Sequence, residues 1–184
     1  MAFDSVSTPL RRTWTRLLRV SPPFLPSAST EIAIMPKPVT PLLAADAIIE
    51  LADRPGRPIV LIERRYPPDG WAIPGGFVDI GERLEQAAVR EALEETALRV
   101  TLRALLGLYS DPQRDPRGHT VTAVYVAEAT GEPRAQDDAR HLAVFPVDAL
   151  PERLAFDHAL VLRDYLRFRD AGAVAPLRGG SGNP

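Results

Sequence analysis

The sequence predicts an α+β fold of the α/β/α sandwich type, a mixed β-sheet flanked by helices. Three observations predict it. Apolar, branched segments of strand length open the part of the chain that follows residue 40. One long segment without Gly or Pro then reads as a helix. More strand-like segments follow, and a second helical segment closes the pattern. Strands, one central helix, strands and a final helix bury their apolar faces best as helices packed on a sheet. The 184 residues suit a single core.

Leu42 to Leu51 and Pro58 to Arg64 are apolar runs separated by Asp53-Arg54-Pro55-Gly56, which predicts strand, turn, strand. Trp71 to Val78 predicts a third strand, interrupted by Pro74-Gly75-Gly76. Leu84 to Leu98 is the clearest helix, with Val89, Leu93 and Thr96 at helical spacing as its apolar face. Leu102 to Tyr109 and Thr120 to Glu128 alternate as strands do, and Ala143 to Pro146 is a short one. Asp157 to Phe168 predicts the last helix, with Leu160, Leu162, Tyr165 and Leu166 as apolar positions.

The ends differ from this body. Residues 1–34 carry Arg11, Arg12, Arg16 and Arg19 against only Asp4 and Glu31, and Ser, Thr and Pro fill much of the rest. They are expected to form a disordered extension, with the domain at 35–172 and a flexible tail at 173–184. An Arg- and Ser-rich start resembles an organelle transit peptide. The alternative is that Met35 is the true start, which the proline content favours because it spoils an amphipathic helix.

Composition narrows the function. A formal net charge of −2 gives no global polycation for nucleic acid. The absence of cysteine excludes disulfides, thiolate metal sites and a thiol nucleophile, and fits the cytoplasm. No run approaches the roughly 18 apolar residues of a membrane span. The expected partner is a small molecule, with neither nucleic acid nor membrane, and a homodimer is left open.

The chemistry lies in Gly76-Phe-Val-Asp-Ile-Gly-Glu82 and Arg90-Glu91-Ala92-Leu93-Glu94-Glu95. Glu91, Glu94 and Glu95 stand at i, i+3 and i+4 and share one face of the helix. Like charges there repel, and no lysine occurs between Glu82 and Arg99 to offset them. Clustered hard oxygens suit Mg²⁺ or Mn²⁺. The three glutamates alone would equally make a solvated acidic face. Pro74-Gly75-Gly76 lets the backbone approach a ligand closely. The combined spacing decides: Gly, five residues, Glu, seven residues, Arg-Glu, two residues, Glu-Glu. Six fixed positions match by chance on the order of 10⁻⁷ per starting point.

This spacing is that of the Nudix box, and residues from about 40 to 170 resemble the Nudix hydrolases in the order of their elements. Ala92 stands where a bulkier aliphatic residue is common. Ala97 stands where glycine is usual, which implies a helix ending without the left-handed glycine cap. The resemblance implies Glu91 and Glu95 as principal metal ligands and Glu94 as a ligand or catalytic group. It adds the Gly75 carbonyl, Glu82 directly or through water, and Arg90 as a structural partner of a box glutamate. Metal ions would screen the diphosphate and lower the pKa of an attacking water, whose proton a carboxylate accepts.

Substrate signals are weaker. Arg64 and Arg65 could clamp phosphates, and Tyr66 or Trp71 could stack on a base, or this stretch is a strand end with one core aromatic. Tyr109 to His119, with Arg114 and Arg117, looks like the loop of Nudix ADP-ribose pyrophosphatases. Relatives often place a glutamate near position 141, where His141 stands here, so Asp137 and Asp138 are the candidates for the base. His158 is read as a packing or loop-anchoring residue. The resemblance thus implies hydrolysis of ADP-ribose to AMP and ribose 5-phosphate. A (d)NTP or oxidised-nucleotide pyrophosphohydrolase and a non-catalytic ADP-ribose-binding regulator are the alternatives.

Overall fold

β1 (Leu42–Leu51) is buried along eight of its ten residues, and the rest of the molecule is arranged around it. The structure, a computed structural model, describes residues 38–136 and 139–178. The expected extension at 1–34 lies outside them, as does the end of the expected tail. β1 runs parallel to β6 (Thr120–Ala129) over its full length, from Leu42 opposite Thr120 to Leu51 opposite Ala129. β2 (Ile59–Arg64) pairs antiparallel with β1, and β5 (Thr101–Tyr109) pairs antiparallel with β6 at the sheet edge. With β3 (Trp71–Ala72) beside β2, the order is β3-β2-β1-β6-β5, with β4 (Gly75–Phe77) added to β1 and β7 (Ala139–Phe145) to β2.

Alternation along the strands divides the core in two. Ala45, Ala47, Ile49 and Leu51 of β1 join Ala123, Tyr125 and Ala127 of β6 under α1 (Leu84–Thr96). Ile48, Ile59, Leu61, Val124 and Val126 face the other way, under Val161, Leu162 and Tyr165 of α2 (His158–Ala171). This is the predicted sandwich of helix, mixed sheet and helix.

Local details depart from the sequence reading. The face that α1 buries is Ala87, Ala88 and Ala92 with Glu95 and Thr96, not Val89 and Leu93. Those two are 37% and 36% exposed and form a shallow apolar surface with Leu102. Small residues win the inner face because they let the helix axis approach the sheet closely. The same approach sets the Glu91 and Glu95 carboxylates beside β4. The expected third strand is two: β3 (Trp71–Ala72) pairs with β2, while β4 (Gly75–Phe77) pairs with β1. Pro74 supplies no N–H and marks the step between them. Its carbonyl still accepts the Ala47 N–H at 2.9 Å. Residues 173–178, expected in the tail, run beside the edge strand. Ala175 N–H donates to Leu106 O at 2.8 Å, and Arg178 ion-pairs with the buried Asp164 at 2.6 Å. In turn Asp164 accepts the Tyr109 hydroxyl at 2.8 Å.

α1 ends at Thr96, and the left-handed cap is present after all: Ala97 adopts φ 59° and donates its N–H to Leu93 O at 2.9 Å. Helix geometry demands the cap, and an alanine carries the strain that glycine would avoid. Left-handed alanine costs about 1–2 kcal/mol, and the freer unfolded chain of glycine takes back about half of that. Ala97→Gly is therefore expected to stabilise the protein by about 0.5–1 kcal/mol and raise Tm by about 2–4 °C. Thermal unfolding of the two proteins side by side checks this; an unchanged or lower Tm contradicts it.

Candidate active site

At the edge of the sheet where β1, β4 and β6 meet α1 lies a cleft of about 410 Å³. Its acidic wall is built on the glycine pair of β4. A Cβ on Gly75 would lie 2.7 Å from the Ala45 carbonyl oxygen and closer still to Asp46 Oδ1. A Cβ on Gly76 would lie 2.5 Å from the Glu91 carboxyl carbon. Three carboxylates, from one strand and one helix, thus crowd a backbone stretch that only glycine can occupy. Gly75 N–H donates to Glu95 Oε2 at 2.9 Å and holds that carboxylate against the strand.

Crowding and burial set the protonation of this wall. Burial raises Asp46 to about 7, against the opposing pull of Arg114. Burial raises Glu95 to about 8, opposed by the Gly75 N–H and aided by the Glu91 charge. Glu91 is raised as well, by burial, with Arg90 opposing. Arg90 binds the outer carboxylates: both Glu82 oxygens at 2.9 Å, Glu91 Oε1 at 2.6 Å and Glu94 Oε2 at 3.1 Å. Its Nη2 also donates to Phe77 O at 3.1 Å. This network places Glu82 well below the usual carboxylate range.

The opposite wall is basic and aromatic. Arg64 ends β2, Arg65 and Tyr66 follow it, Arg117 comes from the loop between β5 and β6, and Phe156 precedes α2. The Arg117 guanidinium is held by Asp115 at 2.8–3.2 Å. His158 lies beneath, 3% exposed. Its Nδ1 accepts the Ile73 N–H at 3.0 Å, so the ring proton sits on Nε2, 3.8 Å from Asp46 Oδ2. Burial, with Arg114 and Arg64 nearby, lowers His158 to about 3 and keeps it neutral.

An acidic wall facing a basic one in a single cleft suits a ligand with both metal and phosphate. Comparison with known proteins agrees. The model of the NUDIX domain matches residues 41–165. The chain belongs to the Nudix hydrolase family. It is 44% identical over 133 residues to an ADP-ribose pyrophosphatase of Methanocaldococcus jannaschii, covering 71% of this chain and 76% of that one. Among solved structures, a MutT/nudix family protein from Enterococcus faecalis matches with TM-score 0.64 and 28% identity, over 74% of this chain and 65% of that one. The Nudix domain of Shewanella oneidensis NrtR, complexed with ADP ribose, matches with TM-score 0.60 and 26% identity, over 70% and 88%.

Of the residues singled out in the sequence, Gly75, Gly76, Arg90, Glu91, Glu95, Arg64, Arg65, Tyr66, Arg114, Arg117 and His158 line the cleft, while Trp71, Glu82, Glu94 and His141 do not. Trp71 packs edge-on against Phe145, 4.9 Å between centroids, in the core under α2. Glu82 and Glu94 of the Nudix box are held outside the cleft by Arg90. Arg114 reaches the cleft, but its guanidinium is buried and bonded twice to Asp157, at 2.7 and 3.0 Å. It therefore braces the loop instead of offering a free fork to phosphate. His141 is exposed and lies 3.9 Å from Glu63, away from the cleft. Asp137 and Asp138 lie outside the described residues. Sequence reasoning missed Asp46, Thr122 and Phe156 and undervalued His158. Asp46 left a signal, a lone carboxylate inside the apolar run Leu42–Leu51. Its cleft-floor neighbour Thr122 is fully buried, with no proper hydrogen bond for its hydroxyl.

The raised carboxylates have a consequence for stability. A raised folded pKa contributes stability that is full below the unfolded value and lost as pH rises through the folded one. Depressed His158 works in the opposite direction, but only below its unfolded value of 6.5. Between pH 6.5 and 8 the carboxylates act alone. Without divalent cations the protein is expected to lose about 2 kcal/mol over this window, from about 1.4 kcal/mol per pH unit per proton. Thermal unfolding in EDTA at the two pH values measures it, and Glu95→Gln should flatten the slope. An equal Tm at both values for the wild type contradicts the assignment.

Proposed function

We propose that this Nudix hydrolase cleaves the diphosphate linkage of ADP-ribose, giving AMP and ribose 5-phosphate, with Mg²⁺ as its cation and Mn²⁺ as a substitute. The observation that carries the reading is the opposition of two walls in one cleft, carboxylates at Gly75–Gly76 and guanidinium groups at Arg64 and Arg117. Similarity to the M. jannaschii ADP-ribose pyrophosphatase supports the choice of nucleotide. A free nucleotide, in the cytoplasm and without nucleic acid, suits the slightly acidic chain. Whether the protein works as a homodimer does not bear on this chemistry.

The donor chemistry fits a hard cation. Asp46, Glu91 and Glu95 offer only oxygen, and the glycine cradle leaves the space beside them free of side chains. As placed, no three acidic or histidine side chains among the described residues stand close enough to hold one ion. The reason is visible: Glu91 is bound to Arg90 and Glu95 to the Gly75 N–H. Glu91 and Glu95, with the Gly75 carbonyl, are proposed to hold the cation once Glu91 turns from Arg90, and Glu82 and Glu94 to adjust through the same arginine. When bound, the cation offsets the charge of the diphosphate and makes a nearby water a stronger nucleophile.

The chain's own groups do the rest. Arg64 and Arg117 hold phosphate oxygens, and Tyr66, 58% exposed at the rim, offers a face to the adenine. Water attacks one phosphorus, the P–O bond of the anhydride breaks, and the water proton passes to a carboxylate. Asp46, in the cleft and outside the proposed ligand set, joins Glu95 as a candidate to take it.

Two measurements test this. Glu95→Gln is expected to lower kcat at least ~10³-fold, about 4 kcal/mol of transition-state stabilisation, with the fold intact by circular dichroism. Near-native turnover at saturating Mg²⁺ would remove Glu95 from the site. ADP-ribose is expected to exceed dATP, dGTP and 8-oxo-dGTP in kcat/KM, because it can use binding energy at both ends of the diphosphate. Product chromatography should show AMP and ribose 5-phosphate. A triphosphate preferred by tenfold or more overturns the substrate assignment.

A further inference from the structure

Phe156 is where three parts of the cleft meet. The guanidinium carbon of Arg64 lies 4.6 Å from its ring centroid, and that of Arg117 lies 5.2 Å away. Arg64 ends β2, Arg117 sits in the loop between β5 and β6, and Phe156 precedes α2, so no chain connection keeps the two cations together. Left to themselves they repel. The negative face of an aromatic ring attracts each of them. Arg64 Nε also donates to Pro68 O at 3.1 Å, and Arg117 is also held by Asp115 and lies 5.5 Å from Phe77. Phe156 is the ring they share.

The backbone adds a second observation. Phe156 adopts φ 54°, the left-handed region that bulky side chains rarely enter. Glycine would relieve the strain at once. A bulky residue kept there, inside a cleft, marks a position where the side chain does something that relief of strain would forfeit. The ring is only partly buried, against the small cluster of Ile62, Ala72 and Ala155, with the His158 ring 5.2 Å away.

We propose that Phe156 is a positioning residue that gathers Arg64 and Arg117 into one anion clamp for the substrate's phosphates. This rests on the reading that the cleft takes a nucleoside diphosphate derivative, and it names the group that sets the spacing of the cations. A hydrocarbon ring has no group that can hold a metal ion or move a proton. Its removal therefore weakens the hold on phosphate and leaves the chemical step largely alone.

The experiment compares wild type with Phe156→Leu, Phe156→Met, Phe156→Tyr and Phe156→Gly. Leu and Met keep apolar volume without a ring face. Both are expected to raise KM for ADP-ribose about tenfold, with kcat within about threefold. Tyr, which keeps the ring face, should stay within about twofold of wild type in KM. Gly should raise KM at least as much as Leu while melting no lower than the Leu protein, since it relieves the backbone. Methylenediphosphonate with Mg²⁺, followed by calorimetry, probes the clamp without any nucleoside. Its affinity should fall about tenfold in the Leu and Met proteins. If it falls so while wild type ignores ADP-ribose, the substrate assignment fails and the clamp stands. Unchanged phosphonate affinity in both the Leu and Met proteins, or a Tyr protein as impaired as they are, overturns the clamp.

Discussion

The structure depends on a crowding of carboxylates that would not be tolerated without a purpose. Asp46, Glu91 and Glu95 press on Gly75–Gly76, and burial raises the pKa of each of them. Two devices make the arrangement bearable. The Gly75 N–H and Arg90 hold Glu95 and Glu91 in place, and at neutral pH protons supply part of the missing positive charge. A divalent cation does the same work better, since it neutralises two charges and accepts several oxygens at once. Arg90 then acts as a counterion store: it spans Glu82, Glu91 and Glu94 and can keep two of them when it gives up one.

The scaffold explains why these groups meet. β1 is buried on both faces, so it carries a side chain, Asp46, to the floor of the cleft from the centre of the sheet. The alanine face of α1 lowers that helix until its glutamates reach β4. α2 braces the other wall. Asp157 at its start holds Arg114, and Asp164 further along holds both Tyr109 and Arg178. The loop between β5 and β6 is therefore tied to α2 at its start, through Tyr109, and again through Arg114, and Arg117 follows in a held loop.

What was legible in the sequence was what depends on local spacing. The Nudix box pointed to Glu91 and Glu95, and both line the cleft, because helical period and a fixed distance to the glycines decide where they lie. The mixed sheet and the sandwich followed from the succession of strands and helices, but not the order of the strands. What was not legible depends on long-range packing. Asp46 and Gly75 are separated by most of β1, β2 and β3, and only the β1–β4 pairing joins them. Phe156 had no periodicity to mark it, and its place beside Arg64 and Arg117 arises from a strand end and two loops. Trp71 was drawn toward the cleft by its neighbours in sequence, whereas β3 turns it into the core. The inner face of α1 was misread because hydrophobicity pointed to Val89 and Leu93, while close approach to the sheet selects alanine.

The central claim is that the crowded carboxylates of the glycine cradle are the seat of the cation, and that protons occupy them in its absence. Counting the protons released when Mg²⁺ binds tests it most directly. Calorimetric titration at pH 7.5, repeated in buffers of different ionisation enthalpy, gives that count. The account predicts on the order of one proton or more released per ion, since Asp46 and Glu95 are raised to about 7 and about 8 without it. Binding without proton release, or no binding in the millimolar range, would contradict it.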